Sequence, residues 1–264
     1  MAAIHPMEQF MVRPVVHIPP IPVPGLGLLD LSLTNSVITM IGAAVAISIF
    51  FFAAGRGKLV PGRLQALGEI LYDLIDKDMA GTMIGDRGRP FVPFVFALFC
   101  FIEVLNTWGI VPGQFTVTSQ LAGTVTLAIV TFGLVIVVGF VRNGMRFFKL
   151  FVPSGVNFAM LLFVVPIEVI SFFVRPVTLS MRLFGNMIGG HVVLYMFGSF
   201  VVAMALFATK GGLASLGIVC SGLSLAMVVA LSALELIVAF LQAFVFAALA
   251  CTYLSDVVNL DHGH

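Results

Sequence analysis

The stretch that decides the reading is Arg175–His191, RPVTLSMRLFGNMIGGH. Two arginines, an asparagine and a histidine stand inside an apolar run from Val156 to Phe207 that is otherwise almost bare of charge. An arginine in hydrocarbon costs roughly 2.5–3.5 kcal/mol on insertion scales, so it must face protein, an ion or water. Arg182 either snorkels to a membrane surface or holds a functional post inside the membrane. Apolar sequence extends far on both sides of it, which favours the second.

The composition agrees with a membrane setting. Of 264 residues, 60% are hydrophobic and 9% charged, with a mean hydropathy of +1.15. Soluble domains carry about 25% charged residues. Repeated apolar stretches of about 20 residues point to helices, since barrel strands would alternate over about ten. The expected fold is therefore all-α and polytopic, with about five membrane helices. A net charge of +1 gives no reason to expect nucleic acid. Cys100, Cys220 and Cys251 show no pairing or metal-ligand pattern and read as small packing residues. Neither a metal nor another cofactor is expected. The N-terminus lacks the pattern of a cleaved signal peptide.

Outward from the central stretch, residues 1–33 form a proline-rich, extended segment with Pro19, Pro20, Pro22 and Pro24 close together. Residues 34–264 read as one membrane domain. A first span covers 34–54. Residues 64–79 place Leu64, Leu67, Leu71, Leu74 and Ile75 at helical spacing with Glu69, Asp73, Asp76, Lys77 and Asp78 between them. That pattern predicts an amphipathic helix on the membrane surface. Spans at 91–111 and 121–141 follow, the former carrying Glu103 and Asn106 three residues apart on one face. These two line a water path or pair internally.

Basic residues set the orientation. Arg56, Lys58, Arg63, Lys77, Arg87, Arg89, Arg142, Arg146 and Lys149 share one side in this arrangement, leaving Arg13 and Lys210 on the other. The positive-inside rule then puts the N-terminus outside, in the periplasm, and the C-terminus in the cytoplasm.

Two segments, 167–207 and 213–256, are too long for one upright crossing. A helix from Ile167 to Phe207 runs about 60 Å at 1.5 Å per residue, against about 30 Å of hydrocarbon. Each is two spans joined by a tight turn or one steeply tilted helix, and a tight turn would bury backbone groups that water cannot reach. Pro166 with Glu168 two residues on reads as a helix start, and Pro176 as a cause of bending. Gly185, Gly189 and Gly190 fit close helix approach. Glu235 and Gln242, seven apart, share one face of the last helix. Glu168, Arg175 and Arg182, also spaced by sevens, share one stripe. Glu168 reads as a proton-path carboxylate or as an acid stabilised by a helix dipole in a first turn. Arg175 reads as the partner of a neighbouring acid or lipid headgroup.

The string Met181-Arg182-Leu183-Phe184-Gly185-Asn186-Met187 resembles the signature of subunit a of the F-type ATP synthase. The resemblance takes in Glu168, Glu235–Ala243, Asn106, Pro112 and the Thr116–Leu121 stretch, and His5–Phe10 resembles the family's short amphipathic start. It implies that the last two helices form a long, tilted hairpin against a rotor ring (the c-ring), with Arg182 facing the ring's carboxylate. An arginine suits that post because it stays protonated, keeps the passing carboxylate ionised and bars direct proton hopping. It further implies a stator role with two offset half-channels, the outer assigned here to Glu235, His191 and Asn186 with Gln242 on the same face, and the inner to Glu168. Implied partners are rotor subunit c, peripheral-stalk subunit b, the remaining synthase subunits, lipid and protons. His191 and Glu235 reverse the carboxylate and histidine positions of many bacterial members, as in mitochondrial ones. That points to the inner membrane of a bacterium related to mitochondria, ahead of an organelle.

The alternative is a proton-coupled secondary transporter, which calls for internal repeats and broken helices; no convincing repeat is visible. H-E-x-x-H and G-x-x-x-x-G-K-[ST] are absent from the sequence, so nucleotide chemistry is expected on other subunits.

Overall fold

Thr34 starts the first membrane helix: its hydroxyl accepts from the Val37 N–H at 3.5 Å, satisfying a donor that the first turn leaves free. From there α1 runs Asn35–Ala54. The computed structural model describes residues 11–17, 21–23, 27–29, 32–55, 62–111, 114–152, 158–208 and 214–259. The expected helix at residues 5–10 lies outside these, as do Arg56, Lys58, Pro112 and Lys210.

Ahead of α1, two short antiparallel pairs form. β1 (Pro14–Val16) pairs with β4 (Leu33–Thr34), and β2 (Ile21–Val23) with β3 (Gly27–Leu29). The extended backbone that prolines favour is thus partly tied into ladders. After α1 come α2 (Arg63–Asp73) and a π-helical turn (Leu74–Gly81). A 3-10 turn (Asp86–Phe91) leads into α3 (Val92–Ile110). After a short 3-10 turn (Val117–Ser119), α4 (Leu121–Asn143) runs into a further one, Gly144–Phe151. The chain finishes in α5 (Phe158–Ala208) and α6 (Ala214–Val258). Among the described residues, five helices are long and apolar enough to cross a membrane.

At 51 residues, α5 extends about 76 Å, more than twice a hydrocarbon core of about 30 Å. Both long segments are continuous helices, so length alone requires them to lie inclined. Their backbones approach through small side chains: Ala239, Ala243, Ala247 and Ala250 of α6 are fully buried, the last three in a core that includes Leu179 and Leu183 of α5, Phe99 and Ile102 of α3 and Val135 of α4. Lipid tails are as apolar as leucine, so close backbone packing holds membrane helices together better than apolarity does. Polar ties lock the end of α6: Asn143 donates to Val257 O at 2.8 Å, Ser255 to Met83 O at 2.7 Å, and Asn259 to Ile84 O at 3.1 Å.

Several expectations need correction. α5 begins at Phe158, eight residues before Pro166, and Pro166 and Pro176 both lie inside it. Proline removes one backbone donor, and a helix packed among neighbours tolerates that loss. Glu168 therefore stands well inside the helix, beyond the reach of a first-turn dipole. The amphipathic segment is not one uniform surface helix. Leu64, Leu67 and Ile70 are exposed, whereas Ile75, Met79 and Ala80 are buried, the change falling where the π-helical turn alters the residue spacing. Cys220 is exposed while Cys100 and Cys251 are buried.

The alanine stripe gives a direct test. Ala247→Leu inserts three carbons at a fully buried contact and should cost about 1–3 kcal/mol, read as a lowered unfolding temperature in detergent. Ala230→Leu, on the open half of α6, should leave that temperature unchanged.

Candidate functional site in the α5–α6 hairpin

Polar side chains along α5 meet α6 at three levels. Nearest the C-terminal end of α6, Arg175 Nη1 donates to Asp256 Oδ2 at 2.8 Å, and its Nη2 lies 3.9 Å from Glu168 Oε1. The Arg175 guanidinium also stands over the Tyr253 ring, 5.1 Å from its centroid, within cation–π range. Arg175 thus bridges two carboxylates from two helices.

At the middle level, Asn186 Nδ2 donates to Gln242 Oε1 at 2.8 Å. Gln242 is buried, and its Nε2 has no hydrogen-bond partner among the described residues. At the third level, His191 Nδ1 lies 3.1 Å from Glu235 Oε1, both side chains being more than nine-tenths buried. The approach is close without the alignment of a hydrogen bond, so neither Glu235 oxygen has an aligned donor among the described residues. On the other side of the ring, His191 Nε2 is 3.0 Å from Thr116 Oγ1. Gly190 makes the acid's position possible, because a Cβ there would fall 2.7 Å from Glu235 Oε1.

Arg182 behaves differently. It is exposed, and no hydrogen bond or ion pair holds it among the described residues; Tyr253 is within its electrostatic range. Gly185 and Gly189 lie three and seven residues on, along the same helix face. A Cβ at either would meet nothing within 4 Å. Of the three glycines expected at a close approach, only Gly190 packs on α6 in this structure. The other two leave a shallow open strip beside Arg182.

Glu103 and Asn106 also part company. Asn106 is fully buried and donates to Ala239 O of α6 at 3.2 Å. Glu103 accepts from Thr107 at 3.2 Å and borders an apolar cavity of about 370 Å³ with Phe50 of α1 and Leu67 of α2. Three residues on a helix are about 60° apart in projection, enough to send the two toward different neighbours. Sequence reasoning missed Asp256 and the pairing of Thr116 with His191. An unbalanced acid near the end of an apolar helix was the available signal for Asp256. The resemblance took in the Thr116–Leu121 stretch, but nothing there named His191 as the partner, because the two are distant in sequence.

The sequence matches the family described as ATP synthase A chain over residues 36–255. It is 45% identical to ATP synthase subunit a of Mesorhizobium japonicum, covering 98% of each chain. Identity is also 45% to the subunit of Nitrobacter hamburgensis, over 97% of this chain and 99% of the relative. For that of Rhodopseudomonas palustris it is 45% over 98% and 100%. These relatives are alphaproteobacterial, the lineage that the His191 and Glu235 arrangement implied. With five apolar helices among the described residues and a match across nearly its whole length, the chain belongs to the ATP synthase A chain family.

Proposed function

We propose that this chain is the stator subunit of an F-type ATP synthase membrane sector, and that it couples proton flow to rotation of a ring of carboxylate-bearing hairpins. The observation that carries the reading is Arg182: a permanent cation in a long apolar helix, exposed and unpaired among the described residues, beside the open strip at Gly185 and Gly189. A charge so placed in hydrocarbon must be met by protein, an ion or water, and a passing rotor carboxylate meets it.

In this reading a proton enters from the periplasmic side past Glu235 and His191, with Asn186 and Gln242 further along, and reaches the rotor carboxylate. After nearly a full turn the carboxylate meets Arg182, whose charge keeps it ionised, so its proton leaves first by the cytoplasmic path at Glu168. Arg175 and Asp256 brace α5 against α6 beside that exit. Subunit b and the other synthase subunits complete the assembly, and ATP chemistry belongs to them. The chain sits in the bacterial inner membrane with its N-terminus periplasmic and its C-terminus cytoplasmic, as the basic residues require. Family membership sets the transporter alternative aside.

Arg182→Ala should abolish ATP synthesis driven by a proton gradient in membrane vesicles while the complex still assembles. Arg182→Lys should be severely impaired, because a compact ammonium that can lose its proton does not replace a planar, permanent charge. Normal synthesis in either variant contradicts the assignment. Topology has its own test in a Cys220→Ser background. A membrane-impermeant thiol reagent should label Arg13→Cys only from the periplasm and Arg146→Cys only from the cytoplasm; the opposite pattern inverts the orientation.

A further inference from the structure

Thr116 sits at the end of the buried relay with one proton to give and two neighbours to receive it. Its Oγ1 is 3.3 Å from the Gly109 carbonyl and 3.0 Å from His191 Nε2. The side chain is held there from several directions. Thr116 is buried, Ser119 Oγ donates to its carbonyl at 2.7 Å, and Gly109 leaves room for it. A Cβ on Gly109 would fall 2.5 Å from Thr116 Cγ2 and 2.9 Å from its Oγ1. The relay thus rests in two glycine notches, Gly109 under Thr116 and Gly190 under Glu235.

A hydroxyl donates once and accepts through its lone pairs. When Thr116 donates to Gly109 O, which has no choice but to accept, Oγ1 is free only to accept from His191 Nε2–H. The neutral ring then presents a lone pair at Nδ1 to Glu235 Oε1, 3.1 Å away. The partner of one ring nitrogen determines the state of the other. We propose that Thr116 is a positioning residue for proton transfer, setting the His191 tautomer by turning its hydroxyl between the Gly109 carbonyl and Nε2.

The two settings differ by one proton. In the first, Glu235 O–H points at Nδ1, Nε2–H points at Oγ1, and the Thr116 O–H points at Gly109 O. In the second, Glu235 is a carboxylate accepting from Nδ1–H, and the Thr116 O–H has turned to Nε2. In both settings Nε2 keeps Thr116 as its partner, and Nδ1 faces Glu235 Oε1 3.1 Å away.

This rests on the proposed entry path through Glu235 and His191, and the experiment separates the two. Thr116→Val keeps the shape and removes the hydroxyl; Thr116→Ser keeps the hydroxyl and removes a methyl. Both are compared with the parent for ATP-driven proton pumping in vesicles, at matched complex content. In parallel, 15N spectra of histidine-labelled intact complex report the tautomer of His191, assigned by its loss in His191→Gln. Thr116→Val should pump about tenfold more slowly, the scale on which outer partners of a functional imidazole act, with a changed tautomer ratio, and Thr116→Ser should restore both. The proposal is overturned if Thr116→Val pumps normally, if its tautomer ratio is unchanged, or if Thr116→Ser is as defective as Thr116→Val. A Glu235→Gln variant that pumps normally removes the entry path itself, whatever the histidine spectra show.

Discussion

Hydrocarbon offers no partner to a polar group, and the hairpin of α5 and α6 is built around that fact. Along α5, Arg175 is satisfied by Asp256, Ser180 by Thr124 of α4, Asn186 by Gln242, and His191 by Thr116, with Glu235 3.1 Å from its other ring nitrogen. Each pairing reaches across to another element and so fixes the register of α5 against its neighbours. Arg182 is left without such a hydrogen bond or ion pair among the described residues. An isolated charge of this kind is too costly to keep without a role, and its exposure turns that role toward another molecule.

The packing follows from the same demand. For short side chains such as asparagine and glutamine to meet across helices, the backbones must come close. The alanines of α6 and the notch at Gly190 allow this. Leucine at those positions would add apolar contact but separate the polar partners. The cost of close approach is small in lipid, where burying a larger apolar side chain brings little advantage. The opposite half of the hairpin shows what happens without such packing: large apolar residues such as Ile218, Val219 and Leu223 stand exposed, suited to lipid or to other membrane chains.

Much of this was legible in the sequence, because membrane helices announce themselves by length and apolarity. Arg182 could be singled out as the charge that needed explaining, and the seven-residue spacings placed Glu235 with Gln242 and Glu168 with Arg175 correctly on shared faces. What escaped was set by tertiary context. Pro166 looked like a helix start because proline favours first turns, yet neighbouring helices let α5 continue through it. Gly185 and Gly189 looked like packing residues because glycine signals close approach without naming the partner, and a Cβ at either meets nothing within 4 Å. Thr116 reaches His191 from 75 residues away, a distance over which no local pattern carries information. The amphipathic stripe from Leu64 to Ile75 was visible, but not that a π-helical turn would bury only its second half.

The central claim is that the open strip beside Arg182 is occupied by a carboxylate-bearing rotor helix. Single cysteines at Gly185, Gly189 and Met187, in a Cys220→Ser background, can be oxidised in assembled membranes against a cysteine series on that rotor helix. Disulfides should form from positions 185 and 189 and not from 187, where Met187 is buried within the chain. Failure at 185 and 189, with crosslinks instead from an exposed α4 position such as Ile129, would contradict the account.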